Sequence, residues 1–495
     1  MIPPRVLRSR RRLVYLPCHR PVFNLSSRWR DTRTSLTNPA DVPFLRVGFV
    51  LSCIAYIAVM NWSYDTVISP LWSYLGLYHN NPPLSERLLF SGIAILPAVW
   101  MPIRLHRPSQ WIYLYLYVAV YVPCCIVPLL RAGSSSGIGG ALSAFIWWLC
   151  LCMFALGAIY RVPLRPIRRM PLSPRRFWTM ISLFLAGSYT VLLITYRGIL
   201  HFVPSLDVRN QRMAAREVLA NAAHPLVSGY SLMFSAFAVN PLLMAYGIVA
   251  KKKWPVLIGL AGQCLLYMCA GHRSILATIP LIFILAYATR YPQVFASLVV
   301  VVVTLGVFTG TIISIEGGPE VAVQVSAVMM RTLFIPAHAS HVYYAFFFDH
   351  PQTKFSHIRG LGWLAGHPYG DMPLGIVIGR SVGQPDNNMN ANLWADGFAS
   401  AGFFGMAIAT VLAGAAFYYL DARSTQVGCR FAVLCCCAHG LNSADLPIFS
   451  LVLSYGMLLT AFLLPFFPEI TMRPEERVQS SLPKVQTRKP WPIQS

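Results

Sequence analysis

The chain has 495 residues, of which 56% are hydrophobic and only 12% charged, and it carries a net charge of +23. Soluble domains hold about 25% charged residues, so this composition excludes an ordinary soluble globular protein. The short alternating segments of a membrane β-barrel are missing, so the bilayer spans are expected to be helices that satisfy their own backbone hydrogen bonds.

In chain order, residues 1–42 hold nine Arg and only Asp31 and Asp41 as acids. That composition fits a basic cytoplasmic leader beside anionic headgroups, and equally an organellar transit peptide. No signal-peptide core precedes the first apolar stretch, which is expected to act as an uncleaved signal anchor. About twelve spans follow, near 44–61, 88–103, 111–129, 141–160, 177–196, 227–250, 254–270, 275–289, 293–313, 399–420, 427–444 and 447–467. With the N-terminus inside, the Arg161/Arg165/Arg168/Arg169/Arg175/Arg176 and Lys251–Lys253 clusters all fall on the cytoplasmic side. That is the positive-inside pattern. The basicity is therefore mostly topological, and no nucleic-acid partner is expected. Residues 43–467 form one polytopic domain with a cytoplasmic tail over 468–495, giving an N-in/C-in arrangement. Most of the 12 cysteines lie within spans with no paired CxxC spacing, so they read as small buried apolar residues. No metal is expected.

Polar residues concentrate in three places on the outer side, where they are costly unless functional. The spans up to Tyr196 hold almost none and read as scaffold. The first place is the loop after the fifth span. There Arg209, Arg212 and Arg216 fall at i, i+3, i+7 and share one helical face. Guanidinium forks on one stripe suit phosphate oxygens; the alternative is a solvated amphipathic helix partnered by Asp207 and Glu217. The second is the Ala270-Gly-His-Arg-Ser274 connection, too short to hide Arg273, whose plainer reading is a snorkelling side chain.

The third is the long segment 314–398, which holds six of the 17 carboxylates and five of the 12 histidines. Within it Val321–Phe348 reads as an apolar re-entrant or interfacial helix interrupted by Arg331, His338 and Tyr343. Asn390, Asn392 and Asp396 then stand at a helix entrance with Trp394. They suit capping, and equally a sugar site in which amides and carboxylates take hydroxyls and an aromatic face takes the ring. Inside the spans charge is nearly absent apart from Asp445, near a span end. No Walker loop, HExxH, GxSxG or DxD appears.

Three motifs in order, Gly271-His-Arg-Ser274, the stretch from Arg331-Thr-Leu-Phe-Ile-Pro-Ala-His338 to Asp349-His-Pro351, and Asn390-Ala-Asn-Leu-Trp-Ala-Asp-Gly397, resemble the Wzy-type O-antigen, or oligosaccharide repeat-unit, polymerases of bacterial envelopes. The resemblance covers roughly residues 190–420 by motif. His272, inserted between glycine and arginine, departs from the pattern. Arg359…Gly370 has the spacing of a family Arg-x10-Gly motif, which a glycine-rich chain also meets by chance.

The resemblance implies a GT-C-like glycosyltransferase of the inner membrane with a large periplasmic loop. It would transfer a glycan from undecaprenyl pyrophosphate to another lipid-linked repeat unit, without metal or other cofactor, with a chain-length regulator as a partner. Arg273 and Arg331, then Arg209, Arg212 and Arg216, would hold the pyrophosphate. Asp396 and His338 would handle the acceptor proton, and Asn390, Asn392, Trp394 and Tyr343 would hold sugar. An O-antigen ligase, a flippase or other transporter, and an assembly protein are the rival readings. A transporter would show repeated halves, which this chain lacks.

Overall fold

A computed structural model describes residues 41–132, 139–200, 209–358, 360–363, 366–370, 372–384 and 387–468. Among the described residues every regular element is helical. In chain order these are α1 (Pro43–Leu75), α2 (Leu84–Trp100), α3 (Ser109–Arg131), α4 (Leu142–Arg161), α5 (Pro174–Tyr196), α6 (Arg209–Ala220), α7 (Pro225–Val249) and α8 (Lys253–Ala270). They continue with α9 (Arg273–Ala288), α10 (Phe295–Glu316), α11 (Pro319–Asp349), α12 (Leu374–Ser381), α13 (Leu393–Ser424), α14 (Cys429–Cys435), α15 (Cys437–Asn442) and α16 (Met457–Phe466).

Nine of these, α1, α3, α4, α5, α7, α8, α10, α11 and α13, are long and apolar enough to cross a bilayer. The chain is a multi-pass membrane protein. The expected count of twelve is not reached on that measure among the described residues. Helices α2, α9 and α16 are shorter, and the stretch expected at 427–444 breaks at Cys436 into α14 and α15. One of the nine, α11, falls inside the segment expected to be an outer loop.

Helix α3 is the centre of the bundle: 94% of its apolar window is buried, against 28% for α1 and α5. Its buried tyrosines reach carbonyls of neighbouring helices, which removes the cost of enclosing a phenol. Tyr113, Tyr117 and Tyr121 donate to Met153, Ala94 and Ile93 at 2.9, 3.0 and 2.8 Å. Tyr56 on α1 donates back to Val118 at 2.8 Å.

The arginine-rich connections gather at one end. Leu105 N donates to Pro292 O, Ile167 N to Ala422 O, Met170 N to Pro465 O and Leu172 N to Phe466 O. Arg46 holds the start of α1 there through Ala98 O and Met101 O. At the same end Asp421 accepts from the backbone N and hydroxyl of Ser109 at 3.0 and 2.7 Å, tying α13 to the start of α3.

At the opposite end the 32-residue α13 is two arms. Ala401 (φ −156°, ψ 36°) and Gly402 (φ 59°, ψ −142°) reverse the chain, so arm 393–400 folds back along arm 403–424. Trp394 Nε1 donates to Thr410 Oγ1 across the arms at 3.1 Å, and Gly397 and Gly405 bring the two backbones into contact.

Helix α10 starts beside Ile103 at the arginine-rich end, and the long arm of α13 finishes there. Both ends of α11 therefore lie at the other end, where Thr353 and Lys354 donate to Ala399 O and Ser400 O. Although long and apolar enough to cross, α11 begins and ends on one side.

A methyl group on Gly405 would stand 1.9 Å from Gly397 O, whereas one on Gly306 meets nothing within 4 Å. Overpacking of this kind costs about 1–3 kcal/mol or more. Gly405→Ala is expected to lower the thermal midpoint of the purified protein by several degrees, and Gly306→Ala to leave it unchanged, as read by tryptophan fluorescence in detergent.

Candidate functional site

At the end opposite the arginine-rich loops, three elements converge on one carboxylate. Helix α6 begins at Arg209, whose side chain lies outside the described residues, as do Asp207, Arg359, Asp371 and Asp386. One turn on, α6 lies against the α8–α9 connection. Gln211 Nε2 donates to Met268 O at 2.8 Å. Gly271, in the left-handed region at φ +60°, leaves room for Arg212, whose Cγ would be 3.0 Å from a β-carbon there. That glycine is required both by its backbone and by the close approach of α6.

Arg212 thereby reaches Arg216, Arg331, Asp445 and Tyr455. Arg331 comes from a π turn, Met330–Phe334, within α11, and Asp445 from the turn after α15. Burial first, then repulsion from Arg216 and Arg331, lowers the Arg212 pKa, with Tyr455 and Asp445 opposing. Burial pushes the Asp445 carboxyl up to about 6 despite the opposing pull of Arg331 and Arg212. Burial, with Arg212 and Arg216, brings the His272 imidazole down to about 4, so it is neutral at pH 7. Three guanidiniums against one partly protonated carboxyl make an anion-seeking centre.

The other expected residues are distributed differently. Arg273 starts α9 and acts on Tyr267, and its neighbour His272 lies within the field of Arg212 and Arg216. His338 is buried near Arg131 and Gly76, and His341 Nδ1 accepts from Arg131 at 2.6 Å.

Asp396 pairs with His357, not with His338. His357 Nε2 lies 2.9 Å from Asp396 Oδ1, and its Nδ1 lies 2.7 Å from Thr353 Oγ1. Asn392 caps the short arm of α13, accepting from Trp394 N and Ala395 N while donating to Ser340 Oγ at 2.7 Å. Trp394 is enclosed, at 1% exposure, and Tyr343 donates to Met389 O at 2.9 Å. These three are engaged in capping and packing, whereas Asn390 of that set is exposed.

Asp396 acts on Tyr343, twelve residues along α11 from Arg331. At 1.5 Å per residue that is roughly 18 Å. The Asp396–His357 pair belongs to the Tyr343 part of α11 and the arginine centre to its Arg331 turn. Asp445 and His272 are both visible in the sequence, but nothing there assigns either a role. Their signal was positional: a carboxylate near a span end, and a histidine at an outer hairpin. The first-third scaffold also holds a polar group that was missed, Asp65–His79–Arg87. Among the described residues no set of three His, Cys, Asp or Glu is placed to hold a metal.

No family model, curated protein or solved structure matches this chain.

An alanine at position 271 would have to adopt φ +60° and displace Arg212. Gly271→Ala is expected to cost about 1–3 kcal/mol, read as a lowered thermal midpoint. It should also speed proteolysis within α6, because that helix loses its seat.

Proposed function

We propose that the chain is a membrane glycosyltransferase that polymerises oligosaccharide repeat units carried on undecaprenyl pyrophosphate. One observation carries the reading: Arg212, Arg216 and Arg331, from two distant elements, meet at the end opposite the basic loops. Positive-inside orientation puts those loops in the cytoplasm, with both termini inside, so the arginine centre faces the periplasm of a bacterial inner membrane. A lipid diphosphate is the anion that lies at that depth. The order of the Gly271–Ser274, Arg331–Pro351 and Asn390–Gly397 motifs supports the same family reading.

In this reaction a hydroxyl of one lipid-linked glycan attacks the anomeric carbon of another, and the bond from that carbon to the diphosphate oxygen breaks. The diphosphate leaves with added negative charge, which preplaced guanidiniums stabilise more strongly in the transition state than in the ground state. The hydroxyl proton passes to a base near that centre. Asp445, beside Arg212 and Arg331, takes this role in place of Asp396, which is paired with His357, and His338, which lies beside Arg131. His272, neutral beside Arg212 and Arg216, orients the phosphate oxygens. Exposed Asn390 remains the candidate sugar contact of the outer loop, and a chain-length regulator is the expected protein partner.

A strain lacking the chain is expected to lose the polysaccharide ladder while keeping single repeat units on its acceptor; loss of every ligated glycan would mark a ligase instead. Restoring Arg212→Ala or Arg331→Ala should leave polymer reduced by about 10²-fold with normal membrane levels of the chain. Full-length polymer from either variant would refute the assignment.

A base must be deprotonated to accept a proton. Polymer formation in inverted and right-side-out vesicles should therefore rise as the outer-face pH passes upward through about 6, following Asp445. Asp445→Asn should be slow at all pH values and lack that rise. A wild-type profile in Asp445→Asn vesicles would remove Asp445 from the reaction.

A further inference from the structure

The arginine-rich end carries cations that the fold does not use for its own hydrogen bonds. Residues 162–173, between α4 and α5, have no regular secondary structure, yet they are pinned to the bundle as a strap. The N–H groups of Ile167, Met170 and Leu172 donate to the carbonyls of Ala422, Pro465 and Phe466, and that of Arg165 donates to the Tyr418 hydroxyl at 3.1 Å. Arg169 donates to Phe467 O at 2.8 Å, with Ile167 and Leu172 half-buried on either side of it. Arg165 and Arg168 are left exposed, and so are Arg175 and Arg176 in the first turn of α5.

Among the described residues these four side chains make no ion pair or hydrogen bond. No acid is at hand to neutralise them. None occurs in the sequence between Glu86 and Asp207, and Asp421, at the same end, is committed to Ser109. The 468–495 tail holds five basic residues against three acids, so its own charge has the same sign. The first turn of α5 also lacks an acid, and the positive end of the helix dipole adds to the potential there.

Ring contacts join a second basic turn to the strap. Trp178, one turn beyond Arg175, packs on Tyr246 with ring centroids 4.7 Å apart, and the Tyr246 hydroxyl accepts from Lys252 Nζ at 3.0 Å. Trp254, in the first turn of α8, is 77% exposed. The helices that follow set the depth of these groups. The 23 residues of α5 run roughly 34 Å at 1.5 Å each, against ~30 Å of hydrocarbon. Its first turn therefore stands at headgroup level, where an exposed tryptophan is also at home. Further along, Leu183 on α5 and Leu257 on α8 are 69% and 50% exposed, as acyl chains require.

We propose that this end is a binding surface for anionic phospholipids, with their phosphates against Arg165, Arg168, Arg175 and Arg176. Guanidiniums suit phosphate oxygens, and the pinned strap holds two of them in place before a lipid arrives. Topology alone needs only positive charge on one side; it does not need a strap fastened by its backbone with its arginines left over. A soluble acidic partner would have to reach headgroup level, where the phosphates of the bilayer are already present. The inference is independent of the polymerase reading and of which leaflet this end faces.

The test uses the full chain in nanodiscs of equal parts phosphatidylglycerol and phosphatidylcholine, with the lipids that stay on the released protein counted by native mass spectrometry. The wild type is expected to retain phosphatidylglycerol over phosphatidylcholine by about tenfold or more, from a factor of about five per basic residue near a charged surface. Arg165→Gln with Arg168→Gln, and Arg175→Gln with Arg176→Gln, each leave four of the six arginines of the 161–176 cluster to hold the orientation. Each pair should remove most of that preference, whereas the same pairs changed to Lys should keep most of it. Arg380→Gln, a change of an exposed cation on α12, should leave it unaltered. Absence of a preference in the wild type, or an undiminished one in both glutamine pairs, would overturn the inference. Displacement of the lipid by excess inorganic phosphate would overturn it as well, by showing a site for the free ion.

Discussion

In hydrocarbon an unpaired backbone group costs several kcal/mol, so irregular backbone persists only where something else covers it. The end of this bundle opposite the arginine-rich loops is organised by that requirement. The short arm of α13 stops at Ser400, and the carbonyls left over at its end accept from Thr353 N and Lys354 N, both at 2.9 Å. Helix α8 stops at a left-handed Gly271, and the carbonyl of Met268 accepts from the side chain of Gln211. In each case the segment that satisfies the helix end also carries site residues. The 350–357 loop brings His357 to Asp396, and α6 brings Arg212 and Arg216 to the hairpin. Capping thus fixes the polar groups in place, and the chemistry depends on it.

Electrostatics set the second condition. Guanidiniums from α6 and α11 that are brought together repel, and partial burial removes water that would screen them. Burial and repulsion together lower the Arg212 pKa, and Asp445 only partly offsets them. A centre held in this state is favourable only if the surrounding fold enforces it, and it gains most from an added anion. The arginine-rich end shows the contrast. There Arg107 spends its guanidinium on the carbonyls of Ile159, Tyr160 and Val162, and Arg169 on that of Phe467. Those arginines staple loops to the bundle, as expected of basic residues that serve topology.

Much of this was legible in sequence where a periodicity carried it. Apolar length marked the spans, and the i, i+3, i+7 spacing put Arg212 and Arg216 on one face. The apolar run around Arg331 was readable as a helix rather than a free loop. What could not be read were meetings between distant residues. Nothing near His357 announces Asp396, 39 positions on, and nothing in Ser400-Ala-Gly402 distinguishes a chain reversal from a flexible point in a span. That reversal decides the role of Trp394, which looks like a sugar platform in one dimension but donates to Thr410 between two arms. Asn392 had two readings from sequence, cap or sugar ligand. Its contacts with Trp394 N and Ala395 N give it the first.

The π turns explain why polar groups appear where hydropathy shows only scaffold. A π turn inserts one residue into an α-helix and leaves its register shifted beyond that point. Asp65 lies in one such turn, Tyr64–Ile68, Arg331 lies in another, and Tyr455 follows a third, Ser450–Ser454. A single charged residue on an apolar helix, read at constant 3.6-residue periodicity, is assigned to the wrong face once a residue has been inserted. With the insertion, Asp65 meets His79 and Arg87, and Arg331 comes near enough to act on the Asp445 carboxyl. The bundle thereby acquires two polar centres from helices whose composition is almost entirely apolar. This also explains why the early helices are not inert: α1 is exposed along much of its length and breaks its own periodicity where it has a carboxylate to place.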